Sequence, residues 1–284
     1  MLVSALRISA GVVSYRLRKL EMANLAGALS IAAALHLPLL DIAYRTAFAF
    51  FLNVLVYLNN DYADVHLDLQ SADKDAAKTR FLADNMGAAL LAQGILLALL
   101  AAAALAHGGG LLVPLIAGGG VCIAYSRWIK RRPYLDIPAM MLWGFLMPLC
   151  GSPIDSVLGV CLALQLGLFS SVFETIQVLR DADPDAAEGV RTTAVALGKR
   201  RTLQLARGLM LLSSVYAICV LHPLLGAVSV VTLALRFDEG AVARYWTRIK
   251  LVYGLCWLAI CGFVYWRARS AGLLWSIDLS ATFG

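Results

Sequence analysis

Long apolar runs separated by short polar segments dominate this chain. Nine runs are each long enough for a helix that crosses a bilayer, which takes about 20 residues when tilt and interfacial residues are included. The runs lie near 22–42, 44–60, 85–106, 111–128, 136–153, 156–180, 203–221, 223–237 and 249–267. The pattern predicts an all-α, polytopic membrane bundle of about nine transmembrane helices, in a single domain that covers residues 1–284.

The first 21 residues differ from the rest. They are mildly apolar but contain Arg7, and the basic residues Arg16, Arg18 and Lys19 follow the apolar part instead of preceding it. A cleavable signal peptide has the opposite order. We therefore expect residues 1–21 to form an interfacial helix.

The basic residues predict the orientation of the helices. All but three of the 24 Lys and Arg residues fall in the N-terminal segment or in the loops that follow the even-numbered runs. The three exceptions are Arg45, Arg267 and Arg269. Because basic residues are retained on the cytoplasmic side, we expect these loops to be cytoplasmic, in what we expect to be a bacterial inner membrane.

The amino-acid composition of the chain limits the kinds of protein and partner that are expected. The chain is 61% hydrophobic and 15% charged, whereas soluble domains are about 45–50% apolar and about 25% charged. Its net charge of +6 is dispersed over several loops, which favours anionic lipid and a phosphorylated substrate as partners and argues against nucleic acid. The six cysteines lie inside apolar runs without a C-x-x-C pair, so no redox role is expected.

An acidic cluster follows the second run directly. In a continuous helix, Asp61, Asp64 and Asp68 share one face, and Tyr57 lies one turn earlier on that face. Three like charges beside an apolar medium are unfavourable unless a cation binds them. Magnesium is the simplest candidate, since it prefers oxygen ligands and completes its shell with water and substrate phosphates.

A second acidic cluster follows the sixth run, where Asp181 and Asp185 are four residues apart. Ten of the 18 acidic residues lie within 60–84 and 181–188. An even number of runs separates the two clusters, which places both on one side of the membrane. Metal ions at the two clusters could hold a diphosphate between them and make it a better leaving group.

The motifs resemble those of the UbiA-type intramembrane prenyltransferases. Asn60-Asp61-x-x-Asp64-x-x-x-Asp68 is similar to the first aspartate-rich motif of that family. Arg180-Asp181-x-x-x-Asp185, followed by Gly189-x-Arg191-Thr192 and Ala196-Leu197-Gly198, is similar to the second. Tyr125-Ser126-Arg127-Trp128-Ile129-Lys130 and Pro133-x-x-Asp136-Ile137 resemble the signature of the loop after the fourth helix.

The resemblance covers most of the chain and implies both a fold and an activity. It implies a helical bundle around a central cavity open toward the cytoplasmic side, with Mg²⁺ at the two aspartate motifs. It also implies a polyprenyl diphosphate donor and transfer of the prenyl group to an aromatic or other lipophilic acceptor.

The chain departs from the family pattern at three places. Ala186 stands where a basic residue often follows the second motif, and Arg80 is followed by Phe81 instead of proline. Pro184 lies between Asp181 and Asp185, where it predicts a break or kink in the helix. Asp183 is therefore an alternative to Asp185 as a ligand.

Each candidate residue has an expected role and an alternative. We expect the five motif aspartates and Asn60 to bind metal and diphosphate; the alternative is a solvated acidic loop, or a helix cap for Asn60. Basic residues that could donate to phosphate oxygens, or merely reflect the positive-inside bias, are Lys78, Arg80, Lys130 and Arg191. Tyr125 could bind the diphosphate or line the cavity, or it could be an interfacial tyrosine.

Glu174 is the one acidic residue deep inside an apolar run, seven residues before Asp181. A charge at that depth usually lines a cavity, so Glu174 could orient the acceptor or take its proton, with help from Gln177 and Asn53. The alternative is a protonated packing residue. Tyr57 could steady an allylic cation through its ring face.

Two other functions stay open. In a terpene cyclase of the same kind, the cation would be captured by the double bonds of its own molecule, and the apolar start of the first run, Met22–Leu25, offers few groups for a polar acceptor. An ion-coupled transporter would need charges near the midplanes of several helices, and only Glu174 fits that requirement.

Overall fold

The computed structural model describes residues 1–18, 22–69, 75–187 and 189–268. Within these ranges all regular secondary structure is helical, joined by turns and short irregular segments, with no β-strand. Five residues that entered the charge pattern, Lys19, Asp73, Lys74, Glu188 and Arg269, lie outside the described ranges.

Fourteen α-helices follow one another along these ranges. They are α1 Leu2–Arg18, α2 Ala23–Ala34, α3 Leu39–Asp68, α4 Ala76–Asp84, α5 Met86–Ala106, α6 Gly119–Ala124, α7 Asp136–Leu146, α8 Val157–Arg180, α9 Ala182–Ala187, α10 Thr193–Leu197, α11 Lys199–Tyr216, α12 Pro223–Ala227, α13 Val231–Ala234 and α14 Val242–Ala268. Wider π-turns flank α6 at Pro114–Gly118 and Tyr125–Ile129, and a third, Ala217–Leu221, extends α11.

Among the described residues, five helices are long and apolar enough to cross a membrane, which makes this an integral membrane protein. They are Leu39–Asp68, Met86–Ala106, Val157–Arg180, Lys199–Leu221 and Glu239–Arg267. Three shorter apolar helices accompany them, Ala23–Ala34, Asp136–Gly151 and Pro223–Ala234. Each of the nine apolar runs coincides with helical structure.

The boundary between the first two runs was predicted wrongly. Helix α2 ends at Ala34 instead of near residue 42, and α3 begins at Leu39, so Arg45 lies inside α3 and not in a loop. His36 adopts a left-handed backbone with φ of 53°, which ends a helix. Pro38 then precedes the first turn of α3, where the missing amide hydrogen costs nothing.

Helix α3 continues without a break through the first acidic cluster. Its 30 residues span about 45 Å at 1.5 Å per residue, more than the hydrocarbon core of about 30 Å. Its ends therefore reach the polar head groups, and the three aspartates occupy its C-terminal end.

Helix α8 lies at the centre of the bundle and packs against α2, α7, α11 and α14. Small residues allow its closest contact, with α7: a Cβ on Gly144 would lie 2.2 Å from Cβ of Ser170. A buried hydrogen bond of 2.8 Å from Gln165 to Ser213 joins α8 to α11. Such close approaches and polar contacts hold helices together where lipid replaces water.

Arg45 fixes the end of α3 opposite to the aspartates. Its side chain is buried and donates to both carboxylate oxygens of Asp41 at 3.0 Å, and to the carbonyl oxygens of Cys150 and Ser152. His107 Nε2 lies 2.6 Å from the same carboxylate. These contacts join α3 to the segments that follow α5 and α7.

We expect Gly144→Ala to lower the thermal unfolding temperature of the detergent-solubilised protein. The added methyl group overlaps with Ser170, and overpacking of this kind costs about 1–3 kcal/mol. Gly94→Ala is the control, since no atom lies within 4 Å of its added Cβ, and it should leave stability unchanged or slightly raised. Equal effects of the two substitutions would contradict the close α7–α8 contact.

Candidate active site

Two of the predicted aspartates are buried at the C-terminal end of α3. Asp61 is 3% exposed and Asp64 is 6% exposed, while Asp68 is partly exposed. The helical spacing places all three on one face, as the sequence predicted. A buried carboxylate is costly unless it is paired, so the partners of these two residues define the site.

Asp61 contacts two cations. The guanidinium Nη2 of Arg16, from α1, lies 2.6 Å from Oδ1, and the ammonium group of Lys78, from α4, lies 2.5 Å from Oδ2. Lys78 was predicted as a site residue. Arg16 was interpreted only as part of the positive-inside pattern, although its position four residues after the buried Val12 could have indicated that it faces the protein.

Asp64 contacts Lys130, whose ammonium nitrogen lies 2.9 Å from Oδ2. One turn before Lys130, the hydroxyl of Ser126 donates to the amide oxygen of Asn60 at 3.2 Å. The π-turn Tyr125–Ile129 therefore packs directly against the aspartate end of α3.

This π-turn also sets the direction of Lys130 relative to Tyr125. Five residues along an α-helix would rotate Lys130 by about 140° away from Tyr125. In the π-turn, the amide of Lys130 instead donates to the carbonyl oxygen of Tyr125 at 3.0 Å, which brings the fifth residue back to nearly the same face. Tyr125 and Lys130 can consequently both point into the site.

Glu174, on α8, receives the hydroxyl hydrogen of Tyr125 at 2.7 Å and is 7% exposed. The π-turn thus contacts α3 through Lys130 and α8 through Tyr125. Since α8 leads directly into the second aspartate motif, one short segment connects the two acidic ends of the chain.

The second motif is broken, as Pro184 predicted. Helix α8 ends at Arg180, Asp181 caps it, and Pro184 lies in the first turn of α9. Arg180 forms a two-point ion pair with Asp181, with distances of 2.7 and 2.8 Å. Asp183 is 77% exposed and pairs with Lys199 at 2.7 Å, whereas Asp185 is partly buried.

Asp136 is a site residue that the sequence interpretation quoted in a motif but did not select. It is fully buried and accepts hydrogen bonds from the backbone amide of Thr193 at 2.8 Å and from the Thr193 hydroxyl. The same hydroxyl accepts from the amide of Tyr134 at 2.7 Å. Asp136 therefore joins the segment that carries Lys130 to the segment after the second motif.

Four other predicted residues lie away from these contacts. Arg80, Gln177 and Arg191 are exposed. Asn53 is buried and donates to the carbonyl oxygen of Ala49 at 2.9 Å and to the sulfur of Met147. A fifth predicted residue, Tyr57, does lie beside these contacts: its ring, which was predicted to face an allylic cation, contacts the guanidinium of Arg16 at 4.4 Å.

The carboxylates suit magnesium by their chemistry. Among the described residues, no three His, Cys, Asp or Glu side chains lie close enough together to form a metal site. Basic side chains contact the first-motif carboxylates in this structure. Asp61 and Asp64 nevertheless supply buried oxygen donors, the ligand type that Mg²⁺ selects. Asn60 adds an amide oxygen one residue away.

Comparisons with known proteins identify the family. A family model described as the UbiA prenyltransferase family matches residues 22–267. The chain is 29% identical over 208 residues to a lycopene elongase/hydratase from Halobacterium salinarum, across 70% of this chain and 76% of that protein.

Solved structures share the fold. A digeranylgeranylglyceryl phosphate synthase superposes with a TM-score of 0.69 at 16% identity, over 92% of this chain and 99% of that one. A UbiA homologue from Archaeoglobus fulgidus bound to GPP and Mg²⁺ gives a TM-score of 0.66 at 17% identity, with the same two coverages of 92% and 99%.

We expect Thr193→Val to loosen the segment that follows the second motif. The substitution removes the hydroxyl that contacts both Asp136 and Tyr134, and each lost buried hydrogen bond costs about 1–3 kcal/mol. Hydrogen exchange over residues 189–198 should become faster, while Thr193→Ser, which keeps the hydroxyl, should resemble the wild type. Unchanged exchange in Thr193→Val would show that Asp136 does not restrain this segment.

Proposed function

This chain is a prenyltransferase that belongs to the UbiA prenyltransferase family, and we propose that it transfers a prenyl group from a polyprenyl diphosphate to a lipophilic acceptor within the membrane. We further propose that the reaction depends on Mg²⁺. The observation that carries this proposal is the pair of buried carboxylates, Asp61 and Asp64, each in contact with a basic side chain.

The relatives support the donor and the metal. One structural neighbour is described as bound to GPP and Mg²⁺, and another as bound to DMAPP and Mg²⁺. The relative from Halobacterium is named for elongation of lycopene, which is a hydrocarbon. An apolar acceptor of that class suits this chain, because Met22–Leu25, at the start of the first run, offers few polar groups.

We propose that the whole chain acts as one domain whose helices cross the membrane nine times around a central cavity. The distribution of basic residues supports a cytoplasmic position for the N-terminus and for both aspartate motifs. We propose that the cavity opens to that side and that the membrane is a bacterial inner membrane. A donor with a long isoprenoid tail explains why the reaction takes place at the membrane.

Several groups of the site would stabilise the diphosphate as it leaves. Mg²⁺, when bound, would neutralise phosphate oxygens and make the diphosphate a better leaving group. Lys78 and Lys130, already next to the motif carboxylates, donate to the phosphate oxygens as the allylic C–O bond breaks. The roles of Arg80 and Arg191 on the same phosphates remain predictions.

Glu174 and Tyr125 account for the second half of the reaction. The double bond of the acceptor attacks the allylic carbon, and a proton must then leave the product. The Glu174 carboxylate, hydrogen-bonded to Tyr125 and buried from solvent, is the base we propose for that proton. The apolar surroundings exclude water, which would otherwise capture the cation.

We expect the purified protein to release diphosphate from prenyl diphosphates only when Mg²⁺ and an apolar isoprenoid acceptor are both present. Asp64→Asn should reduce the rate by about 10²–10³-fold, because Asp64 would hold the Mg²⁺ that neutralises the leaving diphosphate and the loss of one such electrostatic stabiliser usually costs about that much. Asp155→Asn is the control, since Asp155 is exposed in the loop after α7. The measurement is released diphosphate, with mass spectrometry of the product.

Other outcomes of that assay would identify the rival functions. Release without an acceptor, together with a cyclic product, would make the protein a terpene cyclase. If no donor length gave any release, the enzymatic proposal would be wrong and an ion-coupled transporter would become the better account.

The second motif offers a matched pair of substitutions. We expect Asp185→Asn to lower the turnover rate by at least tenfold, because Asp185 is partly buried and lies one turn after Asp181. Asp183→Asn should change it less than twofold, because Asp183 is exposed and paired with Lys199. The reverse order would mean that Asp183 has replaced Asp185 as the ligand.

A further inference from the structure

The N-terminal helix α1 presents one face to the bundle. Ala5, Ile8 and Val12 are buried at helical spacing and pack in one cluster with side chains of α3, α4 and α5. The next position on this face, four residues after Val12, is Arg16. A charged residue therefore continues an apolar contact surface.

The side chain of Arg16 contacts both Asp61 and Tyr57. Its side chain is 11% exposed, its Nη2 lies 2.6 Å from Oδ1 of Asp61, and its guanidinium lies 4.4 Å from the ring centre of Tyr57. The neighbouring Tyr15 places its ring 4.4 Å from the ammonium group of Lys78. Helix α1 thus contributes two side chains to the first aspartate motif.

The other arginine nearby has a different environment. Arg18 is exposed and donates to the carbonyl oxygen of Ser14 in its own helix at 3.2 Å. The preference for basic residues on the cytoplasmic side explains Arg18. It does not explain why Arg16 is directed inward against a buried carboxylate.

We propose that Arg16 is a further substrate-binding residue, and that the last turn of α1 forms part of the wall of the diphosphate site. This inference rests on the proposed function. Sequence reasoning assigned α1 to the membrane interface, whereas the proposal makes its last turn part of the binding machinery.

The charges around the cleft support this role. The cleft is lined by Tyr15, Asp61, Asp68, Asp75, Lys78, Thr79 and Leu82, and Arg16 reaches it through Asp61. The acidic residues in this lining, Asp61, Asp68 and Asp75, make the cleft electronegative, and a divalent cation held by Asp61 would bring a phosphate group with it. Phosphate oxygens that share a cation with Asp61 must lie close to the two basic groups that already contact this carboxylate. Of the two, the guanidinium is planar and can donate two parallel hydrogen bonds to phosphate.

The stacking of Arg16 on Tyr57 adds orientation. A guanidinium held over an aromatic ring loses little further freedom when it binds. Tyr57 therefore acts as a positioning residue for Arg16. This role of the Tyr57 ring differs from the stabilisation of an allylic cation that the sequence suggested.

The test is equilibrium binding of inorganic pyrophosphate, in the presence of Mg²⁺, to the full-length protein in detergent. We expect Arg16→Gln to raise the Kd for pyrophosphate at least tenfold and Arg16→Lys to raise it by an intermediate factor. Arg18→Gln is the matched control and should change the Kd less than twofold. Binding of Mg²⁺ alone should be unchanged or tighter in Arg16→Gln, because one competitor for Asp61 is removed.

Hydrogen exchange over residues 2–18 gives a second readout. Pyrophosphate with Mg²⁺ should slow exchange in the wild type and in Arg18→Gln, but not in Arg16→Gln. Unfolding temperatures are measured for every variant, and if Arg16→Gln fails to fold, Arg16→Lys decides the question by the same two measurements.

Three outcomes would overturn the proposal. Wild-type affinity in Arg16→Gln with a lower unfolding temperature would make Arg16 purely structural. Tighter pyrophosphate binding in Arg16→Gln would make Arg16 an inhibitory partner of Asp61. If the wild type bound no pyrophosphate with Mg²⁺, both the proposed function and this inference would be wrong. The first two outcomes would overturn only the role of Arg16 and leave the proposed function standing.

Discussion

The burial of charge at one end of α3 is the constraint on which the rest of the structure depends. Asp61 and Asp64 are removed from solvent in a chain that is otherwise largely apolar. Ionised carboxylates tolerate such a position only when cations or hydrogen-bond donors surround them. The required donors come from α1, α4 and the segment after α6. Neutralising the two carboxylates therefore brings together parts of the chain that are far apart in sequence.

Both ends of α3 are restrained by charged side chains, with different consequences. At the N-terminal end, Arg45 donates hydrogen bonds to Asp41 and to two backbone carbonyl groups. These contacts hold this end of α3 rigidly in place. At the other end, the partners of Asp61 and Asp64 are long and basic side chains that can exchange a carboxylate for a phosphate. Helix α3 therefore joins a rigid anchor at Asp41 to the candidate site at Asp61, about 30 Å away along the helix axis.

Hydropathy and residue spacing in the sequence predicted much of the fold and part of the candidate site. The apolar runs predicted where helices form but not their lengths, since five of the described helices are long enough to cross a membrane, and the spacing of Asp61, Asp64 and Asp68 predicted their common face. The turn after α2 was misplaced because hydropathy does not reveal a left-handed residue such as His36. Arg16 and Asp136 were not selected because their partners lie 45 and 57 residues away, and no periodicity reports contacts over such separations.

The π-turn at Tyr125–Ile129 affects how this chain should be aligned with other proteins. A turn that holds one more residue keeps Tyr125 and Lys130 directed into the same site, toward Glu174 and Asp64, across a spacing that an α-helix could not accommodate. A relative with one residue fewer could present the same two groups from an ordinary helical turn. An alignment without a gap at this point would pair Lys130 with a residue on another face of the helix. Functional residues transferred from such an alignment would then omit the contact between Lys130 and Asp64.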